Sequence, residues 1–149
     1  GGKGNEGVAT NVKQFDGAIG YVEYAYAKKN NITSANLVNK DGKVLSPSPE
    51  TFAAAAAKAD WKVPGMAASL TYAAGEKSWP IAGTAFVLMH TKPDNPENAA
   101  KVLKFLDWGY TAGQAQATEL DYIPLPAEVV ALVKAEMKKI VDASGKPLM

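Results

Sequence analysis

The sequence predicts an α/β fold in which two portions of the chain are joined by a crossover strand. Three observations carry this reading. Residues 79–90 read Trp-Pro-Ile-Ala-Gly-Thr-Ala-Phe-Val-Leu-Met-His, a near-continuous apolar run without clean alternation. That pattern belongs to a strand covered on both faces. The run is about twice the usual strand length, and Pro80 and Gly83 sit in its first half, which suits a crossover between two lobes. On either side of it, Ser48-Pro49 and Asn95-Pro96 are helix starts, with a capping residue followed by proline in the first turn.

From the N-terminus, residues 1–4 are a glycine-rich lead-in. Asn5 is placed to cap a short helix to about Gln14, with Glu6 favourable at its positive end. Phe15-Asp16-Gly17 is a turn, and 18–22 a short buried strand whose flanking Gly17 and Gly20 permit close backbone approach. Residues 23–29 form a brief helix stopped by Asn30 and Asn31. A strand is expected at 35–38, ended by Asn39, with a hairpin-like turn over 40–43.

The helix opened by Ser48 carries five consecutive alanines, 53–57, the residue of highest helix propensity, and is expected to end near Asp60. Pro64 and Gly65 break the segment after it. The helix opened by Asn95 runs to about Tyr110, with Ala99, Leu103, Leu106 and Tyr110 as its core stripe. Phe105 and Trp108 fall on the other side among Lys101 and Lys104, either as a second packing contact or as a partner-facing patch. A short polar-alanine helix over 111–119 leads into an extended linker over 122–126. The terminal helix, 127–141, puts Val129, Val130, Val133, Met137 and Ile140 on one face, and 144–147 form a tail. There is no internal repeat.

Composition removes several classes of function. The 149 residues are 47% hydrophobic and 21% charged, as in an ordinary globular protein. The 16 basic residues are dispersed, with no stripe to neutralise a nucleic-acid backbone. All 16 are lysine, so no guanidinium fork can grip an oxyanion. Absence of cysteine excludes thiolate nucleophiles, disulfides and thiolate-bound metals. No apolar run approaches the ~20 residues that span a bilayer. The chain opens on Gly1 and Gly2 without an initiator Met, and reads as one piece of something longer.

The search for reaction chemistry finds no constellation. His90 is the single histidine, so a His-rich zinc site cannot form, HExxH is absent, and a structural role for His90 is the simpler one. GxSxG is absent as well. The 15 acidic residues present no pair that the sequence singles out. Gly1-Gly2-Lys3-Gly4-Asn5 has the ingredients of a phosphate cradle ahead of a helix, but matches neither GxxxxGK[ST] nor GxGxxG, and a turn is the simpler reading. Tyr21, Tyr24 and Tyr26 suggest sugar stacking or, more simply, core packing, with Tyr21 and Tyr24 able to share a helical face. The expected catalytic and metal sites are therefore none, no cofactor is expected, and the chain reads as not an enzyme.

The run from Gly17 to Lys28, GAIGYVEYAYAK, together with the preceding GGKGN, resembles the periplasmic phosphate-binding proteins (PstS) of the bacterial phosphate ABC transporter. Similar segments come after it in order: the helix start from Ser46 to Phe52, then Trp79-Pro80-Ile81, Val102-Leu103-Lys104-Phe105, Asp107-Trp108, Leu120-Asp121-Tyr122 and Leu125-Pro126. The resemblance covers most of the chain and corresponds to the C-terminal half of the family's length.

The resemblance implies a type II periplasmic-binding-protein fold, two α/β lobes with crossover strands, present here as a partial chain. It implies that 1–80 belong to the second lobe and 81–149 return to the first. It implies an extracytoplasmic receptor delivering inorganic phosphate to an ABC importer, with the importer's membrane subunits and the missing N-terminal portion of the same protein as partners, and no nucleic acid. The family's phosphate ligands include an arginine followed by a Ser-Gly-Thr/Ser loop. This chain has neither, so the phosphate-binding residues in it are none and are expected upstream of Gly1. A related anion-binding or alkaline-phosphatase-like protein of the same fold, and a structural module using Phe105 and Trp108, are the competing readings.

Overall fold

A computed structural model describes all 149 residues, Gly1–Met149. It is a mixed, mostly helical structure with few strands. Six helices are present: α1 (Gly4–Gln14), α2 (Tyr24–Lys29), α3 (Pro49–Lys58), α4 (Pro96–Gly109), α5 (Gln114–Glu119) and α6 (Ala127–Met137). A single 3-10 turn covers Pro64–Met66. The only sheet is a two-stranded antiparallel hairpin of β1 (Leu37–Val38) and β2 (Val44–Leu45), with Leu37 opposite Leu45 and Val38 opposite Val44.

The two proline-started helices form as their sequences dictate. At α3, the Ser48 hydroxyl accepts the Thr51 N–H (3.3 Å) and the Thr51 hydroxyl accepts the Ser48 N–H (3.0 Å), a reciprocal capping box. The hydrogen bond from Ser48 also holds the Glu50 carboxyl below its ordinary pKa. At α4, the Asn95 side chain accepts the Asn98 N–H at 2.9 Å.

Elsewhere the sequence reading needs correcting. Helix α1 starts at Gly4 with Lys3 as its cap residue, and Asn5 caps nothing. The Asn5 carboxamide oxygen instead accepts the Glu23 N–H at 3.0 Å, tying α1 to the entry of α2. Helix α5 begins at Gln114 because Thr111 to Gly113 turn back on the end of α4. Helix α6 stops at Met137, and 144–147 are no loose tail. The Asp142 side chain accepts from the backbone N–H of Ser144 and of Lys146, and Val141 bridges Pro147.

The strands expected at 18–22 and 79–90 are not formed. A strand needs a backbone partner, and neither segment is paired into a ladder. The 79–90 run contributes only an isolated bridge, Thr71 to Ile81. The strand expected at 35–38 is reduced to Leu37–Val38, because the hairpin supplies only two paired rows.

Two apolar clusters hold the chain together. The first gathers Ala55, Ala56, Trp61, Ala68, Leu70 and Val129. Its small residues come from the alanine run of α3, which lets Trp61 fold back so that its indole N–H donates to the Ala56 carbonyl oxygen at 2.8 Å. That bond satisfies a C-terminal carbonyl of α3. The second cluster is Leu103, Met137 and Ile140. Val133 packs against both, so the single face expected of the terminal helix serves two clusters. Only 18 of the 149 residues are buried, and the chain exposes 10172 Å², against about 7300 Å² for a compact protein of its mass.

Candidate functional site

Residues 1–3 lead directly into α1, which begins at Gly4. Gly2 lies so close to the backbone of Gly7 and Val8 that a Cβ would sit 2.3 Å from both, so glycine is required there by packing. Gly4 has φ 67, in the left-handed region. Lys3 is exposed and forms no ion pair within 4 Å. His90 is exposed. No group of three or more His, Asp or Glu side chains is placed to hold a metal ion.

The tyrosines separate. Tyr21 lies ahead of α2, outside any helix, and is 88% exposed, so it shares no helical face with Tyr24. The Tyr24 ring meets Phe52 edge-on at 5.2 Å, and Phe52 meets Trp79 edge-on at 6.1 Å. This aromatic chain anchors α2 to α3 and to the start of the apolar run. Tyr24 is thus a packing residue. Trp79 is buried and its backbone N–H donates to the Thr51 carbonyl oxygen at 3.0 Å.

Two concavities lie beside residues that the sequence singled out. The polar one, about 300 Å³, lies between α2 and the hairpin and is lined by Tyr24, Lys28, Ile32, Ser34, Asn36, Ser46 and Pro47. Ser46 donates to the Asn36 side-chain oxygen at 2.7 Å across it. Its single cation, Lys28, is committed to Asp121, 93 residues further along the chain. The hydrogen bond to Asp121 raises the Lys28 pKa. A paired ammonium with one carboxylate at the rim is a poor trap for an anion, which needs converging unpaired donors. The second groove, about 260 Å³, is apolar and runs between α4, α5 and the 122–126 linker, past Phe105, Leu106, Tyr110 and Ile123. Phe105 and Trp108 stack at 5.7 Å on its outer side and are 66% and 45% exposed.

Neither concavity is lined by an unpaired lysine. What orders this surface is a group of residues that pattern reading missed. Asn39 is 2% exposed and Ser78 is fully buried. The Asn39 carboxamide donates to the carbonyl oxygens of Gly75 and Glu76 and accepts the N–H of Asp41 and of Lys43. It staples the hairpin to the 75–78 loop. A turn at 40–43 was legible, but nothing in it signals a contact 36 residues away.

No protein-family model matches the chain. Individual relatives do. The phosphate-binding protein PstS of Haemophilus influenzae is 51% identical over 139 residues, which is 93% of this chain and 42% of that protein. PstS of Pasteurella multocida is 48% identical over 150 residues, 99% of this chain and 44% of the relative. The chain is homologous to part of PstS. The relation extends to PstS of the archaeon Methanocaldococcus jannaschii, 30% identical over 143 residues. The chain spans about two-fifths of the length of these PstS relatives. The segments that resemble PstS in sequence occupy structurally diverse places: the segment leading into α2, the buried Trp79 corner, the stacked Phe105–Trp108 ridge and the linker into α6.

Proposed function

We propose that this chain is part of an extracytoplasmic phosphate-binding receptor that hands inorganic phosphate to an ABC importer, and that it has no complete binding site of its own. The observation that carries the reading is the 51% identity to a PstS protein across 93% of the chain, against only 42% of that protein's length. The composition supports the second half of the proposal. The chain has no arginine and no Ser-Gly-Thr segment, and its one pocket lysine is already paired. The phosphate ligands accordingly lie in the remaining part of the receptor. On this reading residues 1–80 contribute to one lobe and 81–149 to the other.

Such a receptor performs no chemistry. It encloses a dehydrated oxyanion among fixed donors, which is favourable only when every oxygen finds a partner. A buried acceptor then distinguishes phosphate, which carries a proton at neutral pH, from a fully ionised anion of similar shape. The membrane subunits of the importer are its partners, and its place of work is the periplasm or its equivalent. No helix of this chain is long and apolar enough to cross a membrane.

Titration calorimetry tests the proposal. The complete receptor is expected to bind phosphate with a Kd in the micromolar range or tighter and to discriminate against sulfate. The 149-residue chain is expected to show no such binding at physiological salt, where weak attraction to exposed lysines is screened. Tight binding by the chain alone would put ligands inside it, and preference of the complete protein for another anion would refute the assignment.

A further inference from the structure

We infer that Asp16–Gly17 is a site of spontaneous covalent modification in the folded chain, where Asp16 isomerises to isoaspartate, and that the other Asp-Gly pair, Asp41–Gly42, is held against the same reaction. The sequence contains these two Asp-Gly pairs and no Asn-Gly. In the reaction the backbone nitrogen of the glycine attacks Cγ of the aspartic acid. A C–N bond forms, the Cγ–OH bond breaks, and the hydroxyl leaves with the amide proton as water. Water then opens the resulting succinimide ring at either carbonyl. Opening on the Cα side leaves the backbone running through the side chain, which is isoaspartate. No cofactor or oxidant is needed, and glycine favours the attack because it has no Cβ to obstruct the ring.

In the space around them the two pairs are alike. Both aspartates are exposed. Gly17 and Gly42 have φ 78 and φ 74, and a Cβ on either would meet nothing within 4 Å. They differ in what holds the reacting atoms. At Asp41–Gly42 both ends of the forming bond are engaged. The Gly42 N–H donates to the Asn39 carbonyl oxygen at 3.1 Å, and Oδ2 of Asp41 accepts the Gly75 N–H at 3.1 Å. The Asp41 N–H is bound in turn to the side-chain oxygen of the buried Asn39 at 3.0 Å. Nitrogen and carboxyl meet there only after the turn opens. At Asp16–Gly17 neither end is held. The Gly17 N–H makes no hydrogen bond, and the Asp16 carboxylate accepts none and joins no ion pair. One bond, from the Ala18 N–H to the Phe15 carbonyl oxygen at 3.0 Å, closes the turn and leaves the Asp16–Gly17 peptide at its tip.

The product bears on the packing to either side. Isoaspartate lengthens the main chain by a methylene between α1 and the segment that folds back on it. That segment is closely fitted: a Cβ on Gly20 would lie 2.8 Å from Val8 Cγ1 and 3.0 Å from Val12 Cγ2, and the Glu23 N–H reaches Asn5 at 3.0 Å. Modification at Asp16 therefore strikes the joint between α1 and α2.

Peptide mapping with electron-transfer fragmentation, which distinguishes isoaspartate from aspartate, tests this on the 149-residue chain aged in mildly acidic buffer, folded and in urea. In the folded chain isoaspartate is expected to accumulate at residue 16 faster than at residue 41 by roughly tenfold or more, since breaking two ordinary hydrogen bonds first slows a reaction by about that factor. In urea the two rates are expected to converge. Asp16→Glu, whose reaction would need a larger ring, replaces a side chain without hydrogen bonds and is expected to abolish the signal at 16 while leaving that at 41 unchanged. A signal that survives this substitution overturns the assignment to Asp16. Equal rates at the two sites in the folded chain overturn the inference, as does the absence of reaction at Asp16 until urea is added. The same preference for Asp16 persisting in urea also overturns it, because sequence neighbours and not the folded turns would then set the rates.

Discussion

The side-chain amide of Asn39 donates to the carbonyl oxygen of Gly75 at 3.0 Å, and this bond joins the hairpin to a loop 36 residues away. The same carboxamide holds the hairpin turn through the N–H groups of Asp41 and Lys43. Asn39→Ala leaves buried donors and acceptors without partners and is expected to destabilise the chain by about 2–4 kcal/mol. Asn39→Asp keeps the shape but turns an acceptor toward the carbonyl oxygens of Gly75 and Glu76, so it is expected to be destabilising as well. Urea midpoints of the two variants check this, and a wild-type midpoint for Asn39→Asp would show that shape alone matters there.

Leu103 has no exposed surface and packs on Met137 and Ile140, whereas Lys101, two positions earlier, reaches into solvent to pair with Glu97 at 2.7 Å. Leu103→Ala is expected to cost roughly 2–5 kcal/mol. Lys101→Ala removes one exposed helix-surface pair, and a change within about 0.5 kcal/mol is expected. Equal denaturation midpoints for the two would contradict the helix phase.

Two glycines are expected to respond in opposite directions to the same substitution. A Cβ at Gly109, the last residue of α4, meets nothing within 4 Å. Gly109→Ala is therefore expected to stabilise by about 0.4–1 kcal/mol, because it restricts the unfolded chain. At Gly20 the added methyl collides with the side chains of Val8 and Val12, and Gly20→Ala is expected to destabilise and to loosen α1. Thermal midpoints and the helical circular-dichroism signal separate the two outcomes.

Hydrogen bonds from Ser144, and after them that from the Lys146 backbone, hold the Asp142 carboxyl below its ordinary pKa of 3.8. A carboxylate with a depressed folded-state pKa contributes stability above its unfolded value and loses it as pH falls through the folded one. The Tm difference between wild type and Asp142→Asn is expected to be full at neutral pH and to shrink once the pH drops below about 3.8. A difference independent of pH would show that the turn is held by shape alone.

Local signals were well legible in the sequence. Ser48 and Asn95 cap α3 and α4, and the stripe Ala99, Leu103, Leu106, Tyr110 turns inward, because each depends on residues three or four positions apart. Strands were not: the apolar run 79–90 forms only the isolated Thr71–Ile81 bridge, and 18–22 forms no ladder. Asn5, Asn39 and Asp121 escaped as well. Their side chains act on Glu23, Gly75 and Lys28, partners that only the folded path brings close. Of a site, composition allows one exclusion: a chain with no arginine cannot provide a guanidinium to phosphate, whatever its fold.

The three tryptophans occupy different environments: Trp61 and Trp79 are 8% and 6% exposed, and Trp108 is 45% exposed and stacked on Phe105. Each marks a separate part of the chain, the first apolar cluster, the Thr51 corner and the outer ridge of α4. Their emission is therefore divided by accessibility. A soluble quencher such as iodide reaches Trp108 and leaves the other two untouched, so the chain carries an intrinsic optical label on the very ridge where Phe105 and Trp108 meet solvent, and a second, shielded pair that reports on whether the interior is intact.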